Sequence, residues 1–228
     1  MRTARRDFIA YTLPFAVFMA FLVLCSGLES LFQTSDRLLL SQPRYWIFPL
    51  QTVVCAGLLV SFWKCYPFPT FRAWALGALA GIVAFVIWIS PQAFFGVPDR
   101  TTGFNPEIFR ESGPLYAMTV AARFARLVVV VPLIEEIFWR GFLMRYLINE
   151  KFTAVVFGSF RPFSFFGVAV LFMLAHSSAD WIPALFTGLI LNGLAVLTRS
   201  LWACVVAHAV ANFSLGIYIM ATKQWGFW

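Results

Sequence analysis

The run Ile134-Glu135-Glu136-Ile137-Phe138-Trp139-Arg140-Gly141-Phe142 sets two carboxylates and a guanidinium inside an otherwise apolar stretch. A charge near the centre of a bilayer costs about 2.5–3.5 kcal/mol on insertion scales, so such a cluster needs compensation. The chain has only two histidines, His176 and His208, and both also fall in apolar stretches. Carboxylate and imidazole in a low-dielectric site are the equipment for moving protons and activating water. Spacing adds to this. Glu136 and Arg140 stand at i and i+4 with the acid N-terminal, the favourable order for a helical ion pair. Glu135 is turned about 100° from Glu136, so the two acids need not share a partner. His208 and Asn212 are stacked one helical turn apart, as are Phe172 and His176.

Each member taken singly has a plainer reading. Glu136–Arg140 could be a structural pair between packed helices, a lone membrane histidine more often hydrogen-bonds a neighbouring helix, and Asn212 alone reads as helix-packing glue. Asp180 precedes Trp181-Ile182-Pro183 and reads as a helix cap. Arg123 and Arg126 read as interfacial or loop-facing charges. The constellation carries the functional reading.

The elements that must hold these residues follow from composition. Of 228 residues, 61% are hydrophobic and 12% charged, against about 45–50% and about 25% in soluble domains. The chain is therefore an all-α polytopic membrane protein, with no room for a separate soluble domain. The net charge of +7 comes from basic residues scattered at segment ends, so it orients loops and does not mark a nucleic-acid partner. Seven apolar segments reach or approach the length of a span: 8–28, 46–64, 72–90, 115–147, 163–178, 182–198 and 201–221. The fourth is too long for a simple span. It is either one tilted helix bent at Pro132 or an interfacial helix followed by a span, which would make eight helices. Residues 1–114 form the N-terminal transmembrane helices and the longest loop (91–114), and residues 115–228 the helical core that carries the polar cluster, in one structural domain.

Arg2, Arg5 and Arg6 precede the first segment, which is long enough to span and lacks a small-residue cleavage site, so a span is expected there and not a signal peptide. Arg2, Arg5, Arg6, Lys64, Arg72, Arg145, Lys151, Arg161 and Arg199 fall on one side, and Arg37, Arg44, Arg100, Arg110 and Lys223 on the other. The excess places the N-terminus in the cytoplasm and the C-terminus outside. Trp46, Trp63, Trp88, Trp181, Trp202 and Trp225 lie near segment ends, as interfacial anchors do. Cys25, Cys55, Cys65 and Cys204 form no C-x-x-C pair, so neither a disulfide nor a zinc–cysteine site is expected. Counted at 1.5 Å per residue from the cytoplasmic ends, Glu135, His176, His208 and Asn212 lie roughly 18, 20, 10 and 16 Å deep. Three helices thus bring polar groups to one layer of the membrane, as a shared cavity requires.

Glu135-Glu136-x-x-x-Arg140, then Phe172-x-x-x-His176, then His208-x-x-x-Asn212, resembles the three-motif signature of the CAAX protease and bacteriocin-processing (CPBP, or Abi) intramembrane endopeptidases. The resemblance covers about residues 115–215. The outline is also similar to the CAAX-protease-related proteins that accompany exosortase systems. It implies a helical membrane peptidase of the bacterial inner (plasma) membrane. In it, Glu135 is the general base, His176 assists in activating a water, His208 and Asn212 stabilise the oxyanion, and Glu136 with Arg140 braces the site. It further implies a membrane-associated protein or peptide substrate, prenylated or exosortase-linked in some relatives.

On the metal, two readings stand. The family resemblance admits a metal-free glutamate mechanism, with no cofactor. Glu135, His176 and His208 could instead ligate zinc, although H-E-x-x-H is missing and the histidines lie on different segments. Two rival functions use the same residue types. A proton-coupled transporter would show repeated halves or paired broken helices, which the sequence lacks. A non-catalytic scaffold would not need every motif position filled.

Overall fold

The computed structural model describes residues 4–71 and 73–228; Arg2 and Arg72, which enter the charge count above, lie outside the described residues. Seven helices occupy the seven segments: α1 (Ala4–Phe32), α2 (Arg44–Ser61), α3 (Trp74–Phe94), α4 (Gly113–Tyr146), α5 (Pro162–Leu174), α6 (Trp181–Thr198) and α7 (Leu201–Thr222). No strand occurs among the described residues. Six of the helices are long and apolar enough to cross a membrane, and the protein is an integral membrane protein. The four cysteines are buried and free.

One element departs from expectation. Segment 163–178 was expected to be one helix, but α5 stops at Leu174 with Ala175 as its C-cap. It has 13 residues, about 20 Å of helix against the roughly 30 Å of a hydrocarbon core. His176 therefore sits past the helix end, not on it. The fourth segment follows the single-helix alternative and does not split. It is one helix of 34 residues, about 51 Å long, and must tilt or protrude.

The basic residues sort to two ends of the bundle. At one end Tyr11 donates to the Cys65 carbonyl, Trp202 to the Pro67 carbonyl and Arg145 to the Val155 carbonyl. Tyr11 also packs edge-on against Phe152. At the other, Arg44 pairs with Glu29 at 2.6 Å, Arg100 with Asp180 at 2.5 Å and Arg110 with Glu107 at 2.5 Å. The loops before α4 and after α7 meet there through Phe104 and Trp228.

Helices α3 and α7 make the closest approach. A Cβ at Gly77 would lie 2.6 Å from the Ala203 carbonyl oxygen, and one at Gly81 would lie 2.4 Å from that of Ala207. Only hydrogen fits at either position. The Gly-x-x-x-Gly of α3 thus seats its backbone on the Ala-x-x-x-Ala of α7, the small-residue contact typical of membrane helices. The residue after Ala207 is His208, so this contact fixes where one member of the polar cluster stands.

Candidate active site

Helix α4 carries the acids, and its hydrogen-bond register changes twice around them. Ala125–Val130 and Ile137–Leu143 are π-helical and flank the α-helical turn Val131–Glu136. Such wide turns are rare and concentrate at functional sites. Pro132 accounts for part of the first. The Val131 N–H bonds the Arg126 carbonyl, five residues back, so it is lost to Leu127. The next donor in that register would be residue 132, and proline has no N–H. The Leu127 carbonyl is left without a backbone partner, and Asn212 Nδ2 donates to it at 2.8 Å. The packing role of Asn212 is thus real, and it ties α7 to α4 beside the acids. One N–H of its amide remains uncommitted.

Glu136 is the structural hub. Its Oε1 accepts from Arg140 Nη1 at 3.0 Å and faces His208 Nδ1 at 2.8 Å. The Glu136 and Arg140 side chains are wholly buried. Arg140 also donates to Asn192 Oδ1 at 3.0 Å and to the Gly188 carbonyl at 3.3 Å, and lies over the Phe172 ring. Asn192 in turn donates to the Phe165 carbonyl at 2.7 Å. One carboxylate and one guanidinium therefore bind α4, α5, α6 and α7 together. The ion pair expected from the sequence is present, and His208 is a third member that the spacing did not reveal.

Glu135, His176, His208 and Asn212 all line one cavity of about 230 Å³. Apolar and aromatic walls come from α1, α3 and α4, including Phe15, Met19, Trp88 and Trp139. Glu135 is 9% exposed, and its Oε2 has no hydrogen-bond partner. Three further buried polar atoms of lining residues, Trp139 Nε1, Thr187 Oγ1 and Trp228 Nε1, are also unpartnered. Buried polar groups are otherwise satisfied in folded proteins, so these unpartnered atoms set the surroundings of the cavity apart from an ordinary apolar core. His176 Nδ1 donates to the Phe172 carbonyl at 2.7 Å, which fixes the neutral tautomer with its lone pair on Nε2. Trp88 packs edge-on against the imidazole.

Several expectations need correction. Asp180 stands at the start of α6, but its side chain caps no backbone N–H. It pairs with Arg100 and accepts from Ser177 Oγ at 2.5 Å. Arg123 and Arg126 are neither interfacial nor loop-facing: they are 4% and 5% exposed, caged by aromatic rings. Trp225 is buried, so it is not an exposed anchor, and Trp88 lines the cavity. Glu135, His176 and His208 do not come together as a metal-binding set, and no group of three His, Cys, Asp or Glu side chains does so among the described residues. The residues present do not fit a three-ligand zinc site. Asn192, Thr187 and Arg126 were missed as members of the site. For Asn192 and Arg126 the available signal was a polar group alone in an apolar helix, which costs enough to need a partner.

A helical membrane bundle with an acid, two imidazoles and unpartnered polar atoms around one internal cavity has the equipment of an intramembrane hydrolase. Residues 117–214, from α4 to α7, match the family model described as type II CAAX prenyl endopeptidase, Rce1-like. The chain thus carries a domain of the CAAX protease family and is an intramembrane protease. No curated protein and no solved structure matches it.

Proposed function

We propose that the protein hydrolyses a peptide bond of a membrane-associated client by a metal-free mechanism with Glu135 as general base. The observation that carries this is the Glu135 carboxylate, which faces the same cavity as His176, His208 and Asn212 with one oxygen free of any partner. A water held between Glu135 and His176 Nε2 attacks the carbonyl carbon and gives its proton to Glu135. The carbonyl oxygen becomes an oxyanion. The uncommitted Asn212 N–H and a doubly protonated His208, whose Nδ1–H rests on Glu136, donate to it. Glu135 then passes the proton to the amine nitrogen as the C–N bond breaks. Glu136, Arg140 and Asn192 keep His208 in place.

The apolar walls suit a client presented from the lipid phase, and the family description supports a prenylated one. The N-terminus is assigned to the cytoplasm on the excess of basic residues at the end that carries Lys64, Arg145, Lys151, Arg161 and Arg199. The test is a comparison of membrane peptides, by mass spectrometry, between cells making the wild type and cells making Glu135→Gln. A client shortened only by the wild type, and cleaved by purified protein in the presence of a chelator, supports the mechanism. Cleavage by Glu135→Gln, or loss of wild-type cleavage with chelator and its return with zinc, would remove it.

A further inference from the structure

A second cavity, of about 410 Å³, lies at the end of the bundle that carries Arg145 and Arg199, and it shares no lining residue with the first. Its walls include Tyr11 of α1, Thr70 of the α2–α3 connection, Arg145 of α4, and the α6–α7 turn from Arg199 to Trp202. No acid lines it. No ion pair joins either arginine to an acid among the described residues. Arg145 is held in place by neutral acceptors: its Nε and Nη1 donate to the Val155 and Gly141 carbonyls at 2.9 and 3.0 Å, and it also meets the Tyr11 hydroxyl. Its charge is thus fixed in position and left without a counter-ion. The Arg199 guanidinium hydrogen-bonds no described residue. One fixed and one free guanidinium on the same space form a set that matches a phosphate. The first turn of α7 begins in this wall, and its dipole adds to the field. The rim is aromatic. Phe68 is 84% exposed, Trp202 donates to the Pro67 carbonyl at 3.1 Å, and Trp63 and Trp202 pack edge-on with centroids 5.7 Å apart. Tryptophans so placed mark the headgroup level of a bilayer.

We propose that this second cavity binds one phosphate group between Arg145 and Arg199, carried by the headgroup of an anionic phospholipid. The cavity stands at the basic end, assigned above to the cytoplasm, where the membrane surface is negative and basic pockets between helices take anionic headgroups. The exposed Phe68 ring at the rim offers an apolar surface to the acyl chains. Occupancy bears on the rest of the fold through Arg145, whose bond to the Gly141 carbonyl grips α4 one residue past Arg140. A bound headgroup therefore braces the segment that carries the Glu136–Arg140 pair. The inference does not rest on the proposed hydrolysis, and its test reads binding.

The full chain, stripped of lipid in a neutral detergent, is titrated with dioctanoyl phosphatidylglycerol, dioctanoyl phosphatidylcholine and inorganic phosphate. Thermal unfolding and native mass spectrometry read the binding. Phosphatidylglycerol should be retained as a single adduct and stabilise the protein at concentrations about 10-fold or more below phosphatidylcholine, the preference two arginines supply. No stabilisation by inorganic phosphate identifies the lipid as the source. Equal stabilisation by phosphate, with displacement of the lipid, identifies the free anion and keeps the site. Arg199→Gln should cut the preference several-fold, and adding Arg145→Gln should abolish it. Where the double variant does not fold, Arg199→Gln decides alone, since that side chain holds no other residue. Arg161→Gln, a basic residue of the same end outside the cavity, should leave the preference intact. Equal binding of the two lipids without any effect of phosphate would overturn the site. So would a preference that survives Arg199→Gln unchanged, or one that falls as far with Arg161→Gln, which would reduce it to surface charge.

Discussion

His208 Nδ1 lies 2.8 Å from Glu136 Oε1, the same oxygen that Arg140 holds at 3.0 Å. A structural ion pair and a cavity imidazole therefore share one carboxylate atom, and the scaffold cannot be disturbed without moving the site.

Glu136→Gln is expected to fail in two ways. Removing one partner of a buried ion pair typically costs about 3–5 kcal/mol, and His208 loses the acceptor that orients it. Thermal unfolding in detergent should show a large loss of stability, with turnover falling as well. His208→Ala leaves Arg140 paired, so it should lose turnover with a smaller loss of stability. Equal melting of the two variants would refute the shared-oxygen account.

Glu135→Gln keeps shape while removing the proton acceptor. Turnover should drop on the order of 10²–10⁴-fold if Glu135 is the base. Folding should hold, because the carboxylate's Oε2 is already without a partner. A variant that unfolds would point instead to a structural role.

Asn212→Ala separates packing from chemistry when measured beside a helix-register control. It leaves the Leu127 carbonyl orphaned, at a cost of about 1–3 kcal/mol. It also removes the proposed oxyanion donor, at about 10²–10³-fold in turnover. Adding Pro132→Ala restores an N–H near that carbonyl and should recover part of the stability but none of the turnover. Recovery of both together would show that Asn212 acts only through the fold of α4.

Gly81→Val should be severely damaging although Gly81 does not line the cavity. A single Cβ there already falls 2.4 Å from the Ala207 oxygen, and the nearest further contact, the Val210 Cβ, is at 2.9 Å. Helix α7 must move away and carry His208 with it. Size-exclusion behaviour and melting should both deteriorate, whereas Gly57→Val, with open space around it, should be tolerated.

Reporter fusions at the two termini test the topology. Seven crossings place them on opposite sides of the membrane. Residence on the same side would mean that α5, too short to span alone, does not cross.

Much of this was legible in the chain. Apolar segment length placed all seven helices, because a bilayer demands a span of about 20 residues. The Glu136–Arg140 pair followed from the i,i+4 spacing. What stayed hidden was tertiary or a matter of register. The end of α5 at Leu174 is not signalled by hydropathy, since Ala175 would serve a helix equally well. The π-turns depend on which carbonyl each N–H finds. The burial of Arg123 and Arg126 depends on Phe48, Phe104 and Trp228, which are remote in sequence. Asp180 looked like a cap because its partner, Arg100, lies in a distant loop.

The glycine contact between α3 and α7 also says which wall of the cavity can yield. Where backbone rests on backbone, there are no side-chain rotamers to swing aside, so the α7 wall with His208 and Asn212 is the fixed anvil of the site. The wall contributed by α1 is made of Phe15, Phe18, Met19 and Leu22. These side chains have rotamers to change, and the thioether of Met19 is the most adaptable among them. Side chains of α1 can thus reshape the cavity while the α7 residues His208 and Asn212 keep their places.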